Sequence, residues 1–380
     1  MRRREIHECP EIGTIKSGAV AFPRRKTKQI IIGNVPIGGG APVVVQSMTK
    51  TLTHDIRATV DQARRLEKAG CEIVRVAVPD ERSARALKEI KRRVSIPLIA
   101  DVHFNPRLAL ASLEAGIDGL RLNPGTIGPR EKLREIVKSA RERNVPIRIG
   151  VNSGSLEKSL VAKFGGATPE AMVESGLGHI RFLEDLDFHQ IKISLKASDV
   201  GRTVSAYRLM AKKVDYPFHI GITEAGGLFS GTVKSSVGLG ILLSEGLADT
   251  VRVSLTAPPE EEVRVAYLIL QSLGLRSRGI NVVSCPTCGR AEIEVISMAS
   301  EVERRLSGLL APLTVALMGC MVNGPGEAKE ADIGVACGRG AGALFRKGRL
   351  VRRVEEGRIV PELIKEVKKL AAEQERAQKG

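Results

Sequence analysis

Three cysteines in the last quarter of the chain have the types and spacing of metal ligands: Cys285 and Cys288 as a C-x-x-C pair in SCPTCGR, and Cys320 in MGCMVNGPGE. Structural zinc sites and electron-relay clusters close their coordination with protein ligands, so a set one ligand short points to a metal that also binds substrate. A C-x-x-C pair alone suits a redox dithiol or a zinc knuckle equally well; the third cysteine beside a glycine-rich turn shifts the reading to an iron-sulfur cluster. Three residues offer to complete it. Cys337, in DIGVACGRG, would close a four-cysteine relay, whereas the carboxylate of Glu327 would be a labile oxygen ligand. Cys71 begins a β-type run and reads as a small core hydrophobe, and Cys9 lies in the N-terminal tail. Between Cys337 and Glu327 the spacing does not choose.

A second set of reactive residues depends on the elements that carry it. Eight short β-branched runs, PVVVQSM, EIVRVAV, PLIADVHF, GLRLNPG, PIRIGVN, QIKISLKAS, FHIGITEA and DTVRVSL, alternate with amphipathic helical segments such as ATVDQARRLEKAG and EEVRVAYLILQSLG. Eight such units predict a TIM (β/α)8 barrel over residues 1–275. The glycines Gly38 to Gly40 precede the first run and read as a turn, not as a phosphate-binding loop. From INVVSCP onward the pattern changes to a smaller α+β unit over 276–380, with strands at LTVALMG and DIGVACG, a turn at NGPGEA, a hairpin around GALFRKGRLVRRV and a final helix.

Barrel enzymes place their chemistry at the C-terminal strand ends. Here those ends carry Arg75, Asp101, His103, Arg121, Asn123, Arg148, Asn152, Lys196, Thr223, Glu224, Arg252 and Ser254. Residues two apart on a strand share a face, so Arg121 with Asn123, Arg252 with Ser254, and Arg148 with Asn152 through Gly150 project together into the mouth. Cations from five strands converging on one opening call for an anion of more than two charges, and a diphosphate fits. The alternative is that the arginines pair with interior carboxylates and fill the barrel. Glu224 and Asp101 are the carboxylates placed for acid-base work, with a counter-ion role equally open to Asp101. His103 can donate to a phosphate or satisfy a neighbour.

Composition bounds the function classes. The 380 residues are 43% hydrophobic with 59 Lys and Arg against 43 Asp and Glu, a formal charge of +16. Such a balance calls for acidic partners, but aromatic residues are only 3% and Trp is absent, so base-stacking surfaces for nucleic acid are poorly supplied. No run is long and apolar enough to span a membrane, and MRRREIHECPEIG lacks an apolar signal core, which predicts a soluble cytoplasmic protein. Two rivals are a barrel enzyme with a zinc or relay site acting on another phosphorylated metabolite, and a basic iron-sulfur regulator that binds nucleic acid.

The segments QSMT, VRVAVP, NPGTIG, RIGVNSGSLE, ISLKASDV, GITEAGG, VKSSVGLG, DTVRVSLT, SCPTCGR and MGCMVNGPGEA, in this order, resemble the 4-hydroxy-3-methylbut-2-enyl diphosphate synthase family over almost the whole chain. The resemblance implies reductive ring opening and dehydration of 2-C-methyl-D-erythritol 2,4-cyclodiphosphate on a 4Fe-4S cluster, with flavodoxin or ferredoxin as electron donor. It implies that Cys285, Cys288, Cys320 and Glu327 hold the cluster. It implies further that Arg75, Arg121, Asn123, Arg148, Asn152, Lys196, Arg252 and Ser254 hold the diphosphate, with Glu224 near the reacting carbons. A homodimer in which the cluster domain of one subunit caps the barrel of the other is also implied. Met321 and Cys337 depart from residues usual in the family.

Overall fold

The computed structural model describes residues 22–123 and 130–379. Cys9 therefore lies outside the described residues. The chain forms two compact units divided between Arg276 and Ser277.

The first unit opens with a hairpin of β1 (Ile30–Ile32) and β2 (Val35–Ile37), followed by a turn in which Gly38, Gly39 and Gly40 all have positive φ. All eight β-branched runs then become parallel strands: β3 (Val44–Met48), β4 (Ile73–Ala77), β5 (Leu98–Val102), β6 (Gly119–Leu122), β7 (Ile147–Asn152), β8 (Ile191–Lys196), β9 (His219–Ile220) and β10 (Thr250–Val251). They pair in the order β8-β7-β6-β5-β4-β3-β10-β9, and a parallel bridge from Ile193 to Phe218 joins β8 to the start of β9, closing a barrel. Helices α1 (Ile56–Ala69), α2 (Glu81–Arg93), α3 (Pro106–Glu114), α4 (Arg130–Glu142), α5 (Lys158–Phe164), α6 (Pro169–Glu184), α7 (Val200–Ala211), α8 (Leu228–Ser244) and α9 (Pro259–Ser272) connect the strands. Asp55, Asp80, Asn105, Thr168 and Asp199 each accept a backbone N–H in the first turn of the helix they precede, which fixes where strand end becomes helix.

Alternation along the strands sorts the side chains. Val74 and Val76, Leu98 and Ala100, Ile147 and Ile149, and Ile191, Ile193 and Leu195 pack against the helices. Their neighbours point inward. At the N-terminal end the interior is apolar, where Val44, Ile73 and Ile99 pack on Ile30, Ile32 and Ile37 of the β1–β2 hairpin. Toward the C-terminal ends it becomes charged.

The second unit is a five-stranded sheet of β11 (Ile280–Ser284), β12 (Leu313–Met318), β13 (Ile333–Gly338), β14 (Ala341–Arg346) and β15 (Arg349–Glu355), in that order. The first three strands are parallel and the last two antiparallel to their neighbours. Two helices, α10 (Val295–Leu306) and α12 (Ile359–Lys379), bury Val302, Leu306, Leu363 and Val367 against Val315, Leu317, Val335 and Cys337. The other residue set of the strands, with Ala336 and Phe345, packs against Ala328. Ala328 belongs to α11 (Gly324–Glu330), a short helix where NGPGEA reads as a turn. Proline is tolerated in a first helical turn because its missing N–H has no intrahelical partner there, so the Gly-Pro signal for a turn is overridden.

Candidate active site

The barrel interior gathers most of the strand-end residues. Following the strand register once around the barrel returns eight residues away, the shear of a (β/α)8 barrel, so alternate strands contribute to each interior layer. Gln46, Ile99, Arg148 and His219 form one layer. Arg75, Arg121, Ser194 and Arg252 form the next, then Met48, Asp101, Gly150 and Gly221, and then Ala77, Asn123, Lys196 and Ser254. The two glycines make room: a Cβ on Gly150 would lie 2.4 Å from Arg121 Nε, and one on Gly221 2.7 Å from Lys196 Nζ.

Asp101 is the hub of one side. Its carboxylate lies 2.9 Å from Arg121 Nη1, 3.4 Å from Arg75 Nε and 3.3 Å from His103 Nε2. Arg121 Nη1 also meets His103 Nε2, and its Nη2 donates to the Gly150 carbonyl at 3.1 Å. Burial opposes ionisation of Asp101, but Arg75 and Arg121 outweigh it and hold the carboxyl well below its usual range. A counter-ion is what this geometry makes of Asp101. Arg252 leans on Glu262 of α9 at 3.4 Å, and Glu262 in turn accepts from Ser47 Oγ at 2.9 Å and from the Leu255 N–H at 3.1 Å.

The alternative of arginines paired within the barrel thus holds for Arg75, Arg121 and Arg252. It fails for Arg148 and Lys196, which have no carboxylate partner among the described residues. Arg148 is buried, and its Nε and Nη1 find no hydrogen-bond partner among them. Among the described residues Lys196 Nζ meets only His219 Nε2, at 3.2 Å, while His219 Nδ1 faces Thr250 Oγ1 at 2.8 Å. Burial, followed by the repulsion of Arg148 and Arg252, pushes the Lys196 amine well below its ordinary value. Burial also lowers Arg75, to about 9, against the pull of Asp101. Arginine keeps its proton in proteins, so the buried Arg148 guanidinium carries uncompensated charge that a bound anion would neutralise.

The remaining predicted residues line the rim. Asn123 Nδ2 donates to Ser155 Oγ at 3.0 Å, Asn152 stands across from Lys196 in the β7–β8 register, and Thr223 and Ser254 are half-buried. Glu224 is exposed, with φ of +52°. A non-glycine residue in the left-handed region at a strand end is held there against its preference, as is common where a side chain is aimed at a ligand. Sequence reasoning passed over the inward-facing polar residues Gln46, Lys192, Ser194, His219 and Thr250, though strict alternation in KISLK puts Lys192 and Ser194 on the face of Lys196.

In the second unit Cys285 and Cys320 follow the adjacent ends of β11 and β12, joined by Cys285 N–H donating to the Leu317 carbonyl at 3.1 Å. Between them Gly319 lets the start of α10 close in, since a Cβ there would stand 2.4 Å from Val295 Cγ2. The Cys320 thiol accepts backbone N–H groups of Val322 and Asn323, which lower its pKa toward the thiolate that metals bind. Cys288 is exposed in the loop after β11, and Glu327 is exposed on α11. In donor type and topology these residues fit an iron-sulfur cluster, but no three His, Cys, Asp or Glu side chains among the described residues are already assembled to hold a metal. Cys337 does not belong with them. It is fully buried on the face covered by α10 and α12, opposite α11, and burial raises its thiol to about 12. Cys71 is likewise a core thiol raised to about 12.

Residues 27–267 match the GcpE TIM-barrel domain and residues 281–369 the GcpE protein C-terminal domain. The chain belongs to the GcpE family. It is 63% identical over 350 residues to the 4-hydroxy-3-methylbut-2-en-1-yl diphosphate synthase (flavodoxin) of Geobacter sulfurreducens, covering 92% of this chain and 99% of that one. Its identity to the proteins of the same name from Geobacillus thermodenitrificans and Caldanaerobacter subterraneus is 58% and 56%, covering 92% of this chain and 94% and 99% of theirs.

Proposed function

We propose that this family member opens 2-C-methyl-D-erythritol 2,4-cyclodiphosphate reductively to 4-hydroxy-3-methylbut-2-enyl diphosphate, with the barrel mouth as the diphosphate site. The chain is an oxidoreductase of isoprenoid biosynthesis. The observation that carries the site reading is the buried set of arginines whose charge exceeds that of its carboxylates, with Arg148 uncompensated and the Lys196 amine without a carboxylate partner among the described residues. In this reading Arg75, Arg121, Arg148, Lys196 and Arg252 neutralise the phosphates, while Asn123, Asn152, Ser254, Thr223 and His103 supply directional hydrogen bonds at the rim. Asp101 fixes the forks of Arg75 and Arg121. Glu224 is poised above them for proton transfer or charge stabilisation at the carbon skeleton.

Cys285, Cys288, Cys320 and Glu327 would hold the 4Fe-4S cluster, which supplies electrons and a Lewis acid when bound. The thiolate character of Cys320 and the labile oxygen of an exposed Glu327 support that assignment, and the burial of Cys337 removes its competitor. Flavodoxin, the carrier in the relatives' names, or ferredoxin is the electron donor, and no role for nucleic acid follows. A homodimer is supported by the apolar stripe of Phe229, Val233 and Val237 on α8, where Phe229 is 85% exposed. Among the described residues no helix is long and apolar enough to cross a membrane, and a cytoplasmic setting is part of the proposal.

The test is anaerobic purification with iron analysis and turnover of the cyclic diphosphate under a chemical reductant. About four irons per chain in a brown, active protein is expected. An active, colourless zinc protein would overturn the cluster reading.

A further inference from the structure

Lys192 is a buried amine that the reading above does not use. It sits on β8 at 1% exposure and faces the barrel interior, since Ile191 and Ile193 on either side face the helices. The register puts it in the layer directly beneath Arg148, together with Ile73, Gly119 and Thr250, of which Gly119 contributes no side chain. Its Nζ has no hydrogen-bond partner among the described residues. The charged and titratable groups that face it are Arg148 of β7, Arg75 of β4, His219 of β9 and Asp249 just before β10. Asp249 is already committed, accepting the Phe218 N–H at 2.8 Å and pairing with Arg24 at 2.9 Å. A buried amine without a partner costs stability, so its presence asks for a state in which it is used.

We propose that Lys192 is a positioning residue for the substrate anion: it takes a proton from solvent as the diphosphate enters, and its ammonium then holds the guanidinium of Arg148 up against the phosphates. This rests on the barrel mouth being the diphosphate site. In the empty barrel burial, followed by repulsion from Arg148 and Arg75, pushes the Lys192 amine well below its ordinary value. An anion bound above Arg148 cancels the repulsion and favours the charged form. Proton uptake then becomes linked to binding, because whatever raises the pKa of a group on binding must bind more tightly to its protonated form. Lys196 and His219 lie in the same field, so Lys192 contributes one part of the total uptake.

The experiment uses anaerobically purified holoenzyme and Lys192→Met, a substitution that keeps the volume and removes the amine. Calorimetric titration with the cyclic diphosphate near pH 8, in two buffers of different protonation enthalpy, reads the protons taken up per anion bound. Wild type is expected to take up protons and Lys192→Met measurably fewer. The variant should bind roughly tenfold more weakly, as loss of one favourable charge interaction implies, with KM raised and kcat kept within about twofold. Its empty form should melt no lower than wild type, since an unpaired buried group has been removed. Unchanged proton uptake and KM in a folded variant would overturn the proposal, and Lys192→Gln provides the same measurement if the Met protein does not fold. Arg121→Ala is the control for the underlying reading: unaltered anion binding there would overturn the diphosphate site itself, whatever Lys192 does.

Discussion

Arg148 and Cys320 illustrate two ways of preparing a site. Arg148 stands on a central barrel strand, locked between layers, and its unpaired charge is present before any ligand arrives. Cys320 sits where strand β12 gives way to a loop, and two of its proposed co-ligands, Cys288 and Glu327, are exposed. The barrel can hold uncompensated charge because the apolar shell between strands and helices supplies the stability. The proposed metal donors stand in loops and on a short helix beyond the strand ends, where less packing holds them, so metal binding would supply the free energy that gathers them. On the proposed assignments, preorganisation would belong to the anion site and ligand-driven assembly to the metal site.

The sharpest break in that comparison is Cys320→Ser. It should strip most of the iron and lower turnover by about three orders of magnitude or more, with diphosphate binding in the barrel retained. Iron analysis and a binding titration on the same sample decide it, and loss of anion binding along with iron would mean that the two sites are not separately built. Glu224→Gln should reduce turnover by roughly a hundredfold to ten-thousandfold while iron content and anion affinity persist, the range for removal of an acid-base group. Near-normal turnover would leave Glu224 as a rim residue only.

Arg148→Met should raise KM by about a hundredfold, yet the empty protein should melt higher, because a desolvated cation without a partner is replaced by packing. A lower melting temperature would show that Arg148 is compensated after all. The pH dependence carries the same logic with smaller amplitude. The unfolded chain binds protons at Lys192 and Lys196 that the folded, empty barrel refuses, so stability should rise with pH up to about 9. Beyond that the buried thiols Cys71 and Cys337, raised to about 12, favour the unfolded chain, which ionises first. On the acid side the stability contributed by Asp101 is lost as pH falls through its depressed value. Thermal melts across this range check the shape, and saturating substrate should flatten the rise. The smallest effect is expected of Cys337→Ala: iron and activity unchanged, with a loss of about 1–2 kcal/mol for a shallow core cavity.

Period-two alternation in the sequence already determined which strand residues face inward, and so placed Arg121 with Asn123, Arg148 with Asn152 and Arg252 with Ser254 before any coordinates. It also determined eight barrel strands and the cysteine spacing, because these are properties of short stretches of chain. Partnership was decided elsewhere. That Asp101 serves both Arg75 and Arg121, that Glu262 reaches Arg252 from a helix, and that Arg148 and Lys192 have no carboxylate partner among the described residues depend on closure of the barrel. Shear sets the height of one strand against another, and no local pattern encodes it. Cys337 looked as good a ligand as Glu327 until the sheet acquired two covered faces and put the thiol under α10 and α12. NGPGEA carried the Gly and Pro signals of a turn, and with the proline tolerated in a first helical turn, packing of Ala328 on Ala336 favours the helix over the glycines' local preference of about 1 kcal/mol.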